Sequence, residues 1–344
     1  MKQWLETRQV LDALAEWHDA GVPCALATVV RVRGSAYRHE GAKLLVAAGG
    51  RSVGNVSGGC LEEDVRVVAE RVIATGLPER RSYCGGANEI AAWDLGVGCE
   101  GEVEILIERV TDPRAEERAM LAREESYEVR TSLASGVRTV TPLVLSEGAG
   151  GEDASLSRLS ADGTDFIEVL RPPPRLLIVS GGDDARHLAA LANGVGFRVV
   201  VADRRPGLLA PERFPRGVRL VESDAARLSE RVVLDGESFA VVMTHHFADD
   251  TDYLRALLRS PVRYLGLLGP RQRTERVLAL LRAESPLDDS RIFGPVGLDI
   301  GTDGAEQVAL AVVAEILAVR SGRRPRSLRE RRAPIHMEVS PTEG

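Results

Sequence analysis

The chain has 344 residues, a formal net charge of −7 and 44% hydrophobic residues, which predicts two domains with ordinary cores and argues against a general nucleic-acid-binding protein. No stretch approaches the roughly 18–20 apolar residues of a membrane span, and the N-terminus lacks the apolar segment of a signal peptide. The four cysteines are few and irregularly spaced, which favours a reducing, cytoplasmic location over a disulfide scaffold.

The N-terminal part of the sequence predicts a mixed α/β domain over residues 1–110. Apolar residues at helical spacing predict helices over residues 4–19 and 61–74. Short apolar runs bounded by glycines predict strands over residues 23–32, 43–48, 51–56 and 102–110. Residues 111–170 are interpreted as a connecting region, with a candidate helix over 113–124 and two strands around Ser135-Gly136.

The pattern changes after the proline run that follows Arg171, and residues 171–325 predict a Rossmann-like domain with a parallel sheet. An apolar run, a turn at Gly181-Gly182, a helix over 185–193 and a second strand ending at Asp203 form a βαβ unit. Further elements are expected as strands over 218–221, 239–243 and 264–268 and a last helix over 305–319. Residues 326–344 are expected to form a basic, mobile tail.

The glycine turn of this βαβ unit is a candidate site for a phosphate-bearing cofactor. Asp203 lies about 20 residues after Gly181, where the acidic residue of a dinucleotide fold binds the ribose hydroxyls. Against an ordinary dinucleotide site, Ser180 replaces the first glycine, and the acidic pair Asp183-Asp184 would repel phosphate at the helix start. The turn is therefore interpreted as a site for another phosphate-bearing cofactor or as a vestigial site, and NAD(P) binding is the alternative.

The stretch from Ser57 to Cys60 is a second candidate site, because it lies between a predicted strand and a predicted helix. At a helix N-terminus the dipole favours the thiolate form of Cys60. Gly58 and Gly59 expose backbone N–H groups that could hold an anion. The alternative is a tight turn with a small buried cysteine.

Three further residues are candidates for ligand contacts. Cys99 could join Cys60 in a two-thiolate site for a soft metal or sulfur, although no cysteine or histidine spacing indicates a zinc site. His245 follows a buried strand, at the sheet edge where ligands bind, and could equally cap a turn. Lys43 could meet an anionic ligand or be a solvated charge.

Taken together, these motifs resemble the XdhC/CoxI family, which comprises accessory proteins of xanthine dehydrogenase and relatives from carbon monoxide dehydrogenase clusters. In the N-terminal part the resemblance lies in residues 34–38, 41–43, 54–62 and 98–101. In the C-terminal part it lies in residues 201–206, 243–245, 264–269 and 294–301. The motifs occur in the right order over residues 5–110 and 170–322, which makes the resemblance specific.

The resemblance implies a cofactor chaperone rather than an enzyme in its own right. Such a protein binds molybdenum cofactor (molybdopterin or a dinucleotide form), supports its sulfuration with a cysteine desulfurase, and delivers it to the apoenzyme of a molybdenum hydroxylase. Six residues match the family's motifs: Cys60, Cys99, Gly181, Gly182, Asp203 and His245. A homodimer is expected, because symmetric pairs are the commonest assembly. The alternatives are an NAD(P)-dependent oxidoreductase and a docking scaffold.

Overall fold

The computed structural model describes residues 1–34, 36–84, 102–143 and 157–330. The described residues form two compact units, one up to residue 172 and one from residue 173 onwards. Residues 111–170, interpreted from the sequence as a connecting region, belong in their described part to the first unit. None of the helices described is long and apolar enough to cross a membrane. Cys99, with its flanking glycines, and the tail beyond residue 330 lie outside the described residues.

The first unit combines helices with antiparallel strands. The helices described there are α1 (Lys2–Asp19), α2 (Glu62–Thr75) and α3 (Ala115–Arg123). The strands described there are β1 (Cys24–Arg33), β2 (Lys43–Ala47), β3 (Ser52–Gly54), β4 (Glu79–Cys84), β5 (Glu102–Val110), β6 (Tyr127–Ser132), β7 (Arg138–Pro142), β8 (Ser157–Leu159) and β9 (Asp165–Leu170). They form a five-stranded sheet in the order β3-β2-β1-β5-β4 and a four-stranded sheet in the order β7-β6-β9-β8.

The central strand β1 has a buried side chain on both faces of the five-stranded sheet. Because successive side chains of a strand point to opposite faces, Leu26 joins one core cluster with Leu11 and Leu14 of α1. Ala27 joins the cluster on the other face with Val65 of α2. This packing fixes the position of α2, and with it the position of the turn that carries Cys60.

The second unit is built on a parallel sheet. Its described helices are α4 (Asp183–Gly194), α5 (Leu228–Arg231), α6 (Phe247–Leu258), α7 (Arg271–Glu284) and α8 (Ala305–Arg320). Its described strands are β10 (Arg175–Val179), β11 (Arg198–Asp203), β12 (Arg219–Glu222), β13 (Phe239–Val242), β14 (Tyr264–Leu267) and β15 (Ile292–Phe293). All five neighbouring pairs are parallel.

The strand order of this sheet is β12-β11-β10-β13-β14-β15, which is the order of a doubly wound dinucleotide-type fold. The Rossmann-like fold predicted from the sequence is therefore confirmed. The order reverses between β10 and β13, and ligands of open α/β sheets bind outside the carboxyl ends of the strands at this point. The loops after β10, β13 and β14 consequently form the region of this unit where a ligand is expected.

Candidate functional site

The turn before α2 is held in place by side chains. The carboxylate of Glu62 is buried and accepts the backbone N–H of Val56 at 3.2 Å, the backbone N–H of Ser57 at 2.8 Å and the hydroxyl of Ser57. The Oγ of Ser57 in turn accepts the N–H groups of Gly59 and Leu61, each at 3.1 Å. These bonds fix the backbone on both sides of the glycine pair.

Glu62 is ionised at neutral pH. Burial raises the pKa of its carboxyl group, but the hydrogen bonds from Ser57 and Val56 outweigh burial and hold the pKa below its usual value of 4.5. A carboxylate in the first turn of a helix also interacts favourably with the helix dipole. Glu62 therefore serves both the helix start and the turn in front of it.

Cys60 is exposed on this turn, two residues before α2 begins. Its exposure rules out the alternative of a buried packing cysteine. Gly59 has φ +117°, a backbone conformation that favours glycine, and nothing lies within 4 Å of the place where a Cβ would stand. The turn therefore presents a thiol beside open backbone.

An aromatic ring borders the same turn. A Cβ on Gly58 would stand 3.5 Å from the nearest atom of the Tyr37 ring, so the ring lies against the glycine backbone. Tyr37 is nevertheless 66% exposed. The Cys60 turn thus consists of an exposed thiol, an approachable glycine pair and a solvent-facing aromatic ring. Sequence reasoning noted Tyr37 only as part of a motif.

Lys43 has a structural role in the first unit. Its Nζ is buried, forms an ion pair with the carboxylate of Glu168 and donates to the carbonyl of Gly41 at 3.2 Å. This pairing corrects the expectation that Lys43 faces an anionic ligand or solvent. Cys24, the first residue of β1, is buried as expected from the sequence, and burial raises the pKa of its thiol.

The second glycine turn, between β10 and α4, keeps the geometry of a nucleotide-binding turn with different residues. Ser180 is buried and has φ +153°, a conformation that glycine normally supplies. Its Oγ accepts the N–H of Gly182 at 3.0 Å. The N–H of Gly181 donates to Asp203 at 2.8 Å. Both glycine amides of this turn are therefore bound by side chains of the protein.

Asp203 is likewise engaged within the chain. It is buried at the end of β11 and accepts the backbone N–H and the guanidinium of Arg205, all at 2.9 Å, besides the N–H of Gly181. Burial raises the pKa of the Asp203 carboxyl group, but the bonds from Arg205 and Gly181 outweigh burial and lower it overall. In a dinucleotide site this carboxylate would bind ribose hydroxyls.

Leu208 closes the turn from outside. A Cβ on Gly181 would stand 2.8 Å from both the Cβ and the carbonyl oxygen of Leu208. The glycine therefore makes room for the protein's own chain rather than for a pyrophosphate. With the amides and Asp203 engaged, the residues present do not fit a conventional NAD(P) site, and this geometry weighs against the assignment of Gly181, Gly182 and Asp203 as cofactor contacts.

His245 links two loops at the point where the strand order reverses. It has φ +60°, which is uncommon for a residue with a side chain, and its Nε2 lies 3.0 Å from a carboxylate oxygen of Asp184. The next residue back, Thr244, donates its N–H at 3.1 Å and its hydroxyl to the fully buried Asp250. The other oxygen of Asp250 accepts from Arg273.

A pocket of about 350 Å³ adjoins this network. It is lined by His245, Phe247, Pro270, Gln272, Arg273 and Arg276. Sequence reasoning found only His245 among these residues. The available signal was the basic run Arg271–Arg276 directly after a buried strand, a run that reads equally well as the solvated face of a helix.

Two family profiles match the sequence of this chain. Residues 17–84 match the profile of the XdhC and CoxI family, and residues 176–316 match that of the XdhC Rossmann domain. A probable xanthine dehydrogenase component from Bacillus subtilis strain 168 is 33% identical over 339 residues, covering 90% of this chain and 96% of that protein. The chain belongs to the XdhC and CoxI family.

Two further proteins resemble this XdhC/CoxI-family chain over most of its length. The molybdenum cofactor insertion chaperone PaoD of Escherichia coli K12 is 24% identical, covering 91% of this chain and 88% of PaoD. The crystal structure of a xanthine dehydrogenase from Bacillus halodurans matches with a TM-score of 0.75 and 27% identity, covering 92% of this chain and 97% of that one. The resemblance inferred from the sequence motifs is confirmed.

Proposed function

We propose that this protein is a chaperone that binds molybdenum cofactor and delivers it to a molybdenum hydroxylase of the xanthine or carbon monoxide dehydrogenase type. Family membership and the likeness to a molybdenum cofactor insertion chaperone support this role. The observation that carries the proposal is the exposed thiol of Cys60 on a turn whose backbone is fixed by Ser57 and Glu62.

The chemistry of the Cys60 turn suits this cargo. A thiolate is a soft ligand, and soft ligands suit sulfur-bound metal centres. The open backbone at Gly59 allows close approach, and the exposed ring of Tyr37 offers a flat surface for a pterin. Because the turn is already ordered, binding costs little additional conformational entropy.

The remaining parts of the proposal concern partners and surroundings. An exposed thiol is also accessible to a cysteine desulfurase, so sulfuration of the cargo on this turn is part of the proposed role, with Cys99 as a second thiol. The protein works in the reducing cytoplasm, where Cys60 stays a free thiol. It forms a homodimer, since symmetric pairs are the commonest assembly.

Calorimetry on the purified full chain tests the proposal. Molybdopterin, NAD and NADP are titrated separately, and we expect saturable binding of molybdopterin and none of the two nicotinamide cofactors. Binding of NAD or NADP without molybdopterin would contradict the proposal and favour an oxidoreductase. Binding of none of the three would contradict it in favour of a docking scaffold.

A further inference from the structure

The pocket between the end of β13 and the start of α7 has a charge arrangement that the Cys60 turn does not explain. Arg273 is held by the fully buried Asp250, and His245 lies beside Asp184. Each of these carboxylates thus has a positive or protonatable partner. Arg276 is exposed and has no ion-pair or hydrogen-bond partner among the described residues, so it leaves the pocket with an uncompensated positive charge.

The backbone adds donors on the same side. α7 has 14 residues and begins at Arg271, directly after Pro270, with no side-chain cap at its N-terminus. The first N–H groups of a helix have no partner within the helix, and its dipole favours a negative charge there. Gln272 and Pro270, both at this helix start, line the pocket together with Arg273 and Arg276.

Arg273 is positioned before any ligand arrives. Asp250 is bound to Thr244 through one oxygen and to Arg273 through the other, so the guanidinium is fixed relative to the loop after β13. The Nε of Arg273 is buried and has no hydrogen-bond partner. A fixed guanidinium loses less conformational entropy on binding an anion than a mobile one would.

Phe247 gives the pocket an apolar wall. It is the first residue of α6 and is 39% exposed, although large apolar side chains are usually buried. A ligand with one anionic end and one flat apolar part would therefore find a partner for each. A simple inorganic anion would use only the basic side of the pocket.

We propose that this pocket binds a phosphorylated heterocycle, with the phosphate at Arg276, Gln272 and the start of α7 and the ring on Phe247. The glycine turn after β10 is a poorer phosphate site, because its two glycine amides are bound by Ser180 and Asp203 and it carries Asp183 and Asp184. The inference rests on the second unit alone and does not depend on Cys60.

Calorimetry with AMP, adenosine and inorganic phosphate on the full chain tests this site. We expect AMP to bind, inorganic phosphate to bind more weakly and to compete with AMP, and adenosine not to bind. Arg276→Gln should weaken AMP binding about tenfold, which corresponds to one charged contact. The matched control Arg282→Gln, on the same helix and paired with Asp289, should leave binding unchanged.

Further measurements bear on the ring and on the source of the phosphate. Phe247→Ala should reduce AMP affinity to that of inorganic phosphate, and an unchanged affinity would overturn the placement of the ring. Competition between AMP and molybdopterin would identify the cargo's own phosphate as the ligand, whereas simultaneous binding would identify a free nucleotide; both results support the site. Absence of saturable AMP and phosphate binding, or equal weakening by both arginine variants, would overturn it.

Discussion

Two turns of this protein share the sequence Ser-Gly-Gly and nearly the same internal bonding. In the turn at Ser57 and in the turn at Ser180, the serine Oγ accepts the N–H of the second glycine, at 3.1 Å and 3.0 Å. Each turn lies ahead of a helix, and in each a buried carboxylate, Glu62 or Asp203, accepts a further backbone N–H.

The two turns differ in what surrounds them. Beside Gly59 there is open space and the exposed thiol of Cys60, whereas Leu208 covers Gly181 and the helix after it begins with Asp183. The same local motif therefore forms an accessible site in one unit and a closed structural turn in the other. A glycine pair indicates that some group approaches the backbone closely, and only the fold decides whether that group is a ligand or the chain itself.

The largest expected effect is on the carboxylate that holds the first turn. Glu62→Ala should lower the free energy of unfolding by about 2–4 kcal/mol, because buried donors of Val56 and Ser57 lose their acceptor. Glu63→Ala is the matched control, since its neighbouring carboxylate is exposed and should change stability by less than about 0.5 kcal/mol. Urea unfolding measures both, and equal losses would show that the turn is not held by Glu62.

Acidification should separate the same carboxylate from its amide analogue. Because the pKa of Glu62 is lowered by folding, its contribution to stability is complete above 4.5 and is lost as the pH falls through the folded-state value. The wild-type protein should therefore lose more unfolding free energy than Glu62→Gln between about pH 5 and pH 3. Parallel pH profiles in urea unfolding would contradict this assignment.

Alanine at the two turns should give opposite results. Gly181→Ala should cost about 1–3 kcal/mol, because its methyl group would clash with Leu208. Gly58→Ala should cost less than about 0.5 kcal/mol, because its methyl group would make only ordinary contact with the Tyr37 ring. Thermal unfolding of the two variants measures the difference, and a similar cost at both sites would break the distinction between a closed turn and an open one.

The smallest effect on stability is expected at Tyr37, whose change should appear in binding instead. Tyr37→Ala should leave stability within about 0.5 kcal/mol and weaken molybdopterin binding about tenfold, as loss of one aromatic stacking contact would. Tyr37→Phe keeps the ring and should bind like the wild type. Calorimetry checks both variants, and wild-type affinity in Tyr37→Ala would remove the ring from the site.

The sequence predicts those parts of this structure that depend on local patterns. The βαβ unit follows from apolar runs and glycines within a short stretch, and its helix and strands lie close to their predicted bounds. β4 (Glu79–Cys84) was missed, because its residues are mostly charged or polar and none of them is buried. It is an edge strand, and pairing with β5 rather than an apolar pattern defines it.

Contacts between distant residues account for most of what the sequence could not show. Lys43 has its partner 125 positions away at Glu168, so no local pattern distinguishes it from a surface lysine. Gly181 has the composition of a ligand turn, and its closure by Leu208 depends on how the chain returns after β11. Cys60 was found because glycines and a helix start are local signals, whereas its exposure required the structure.

The central claim is that Cys60 is the working thiol of the open turn, and transfer of molybdenum cofactor to an apo molybdenum hydroxylase tests it most directly. Cys60→Ser and Cys84→Ser are compared, because both cysteines are exposed and free and the substitution removes little packing. The account predicts that Cys60→Ser stays folded and fails to activate the hydroxylase, while Cys84→Ser activates it like the wild type. Activation by Cys60→Ser at the wild-type rate would contradict the claim.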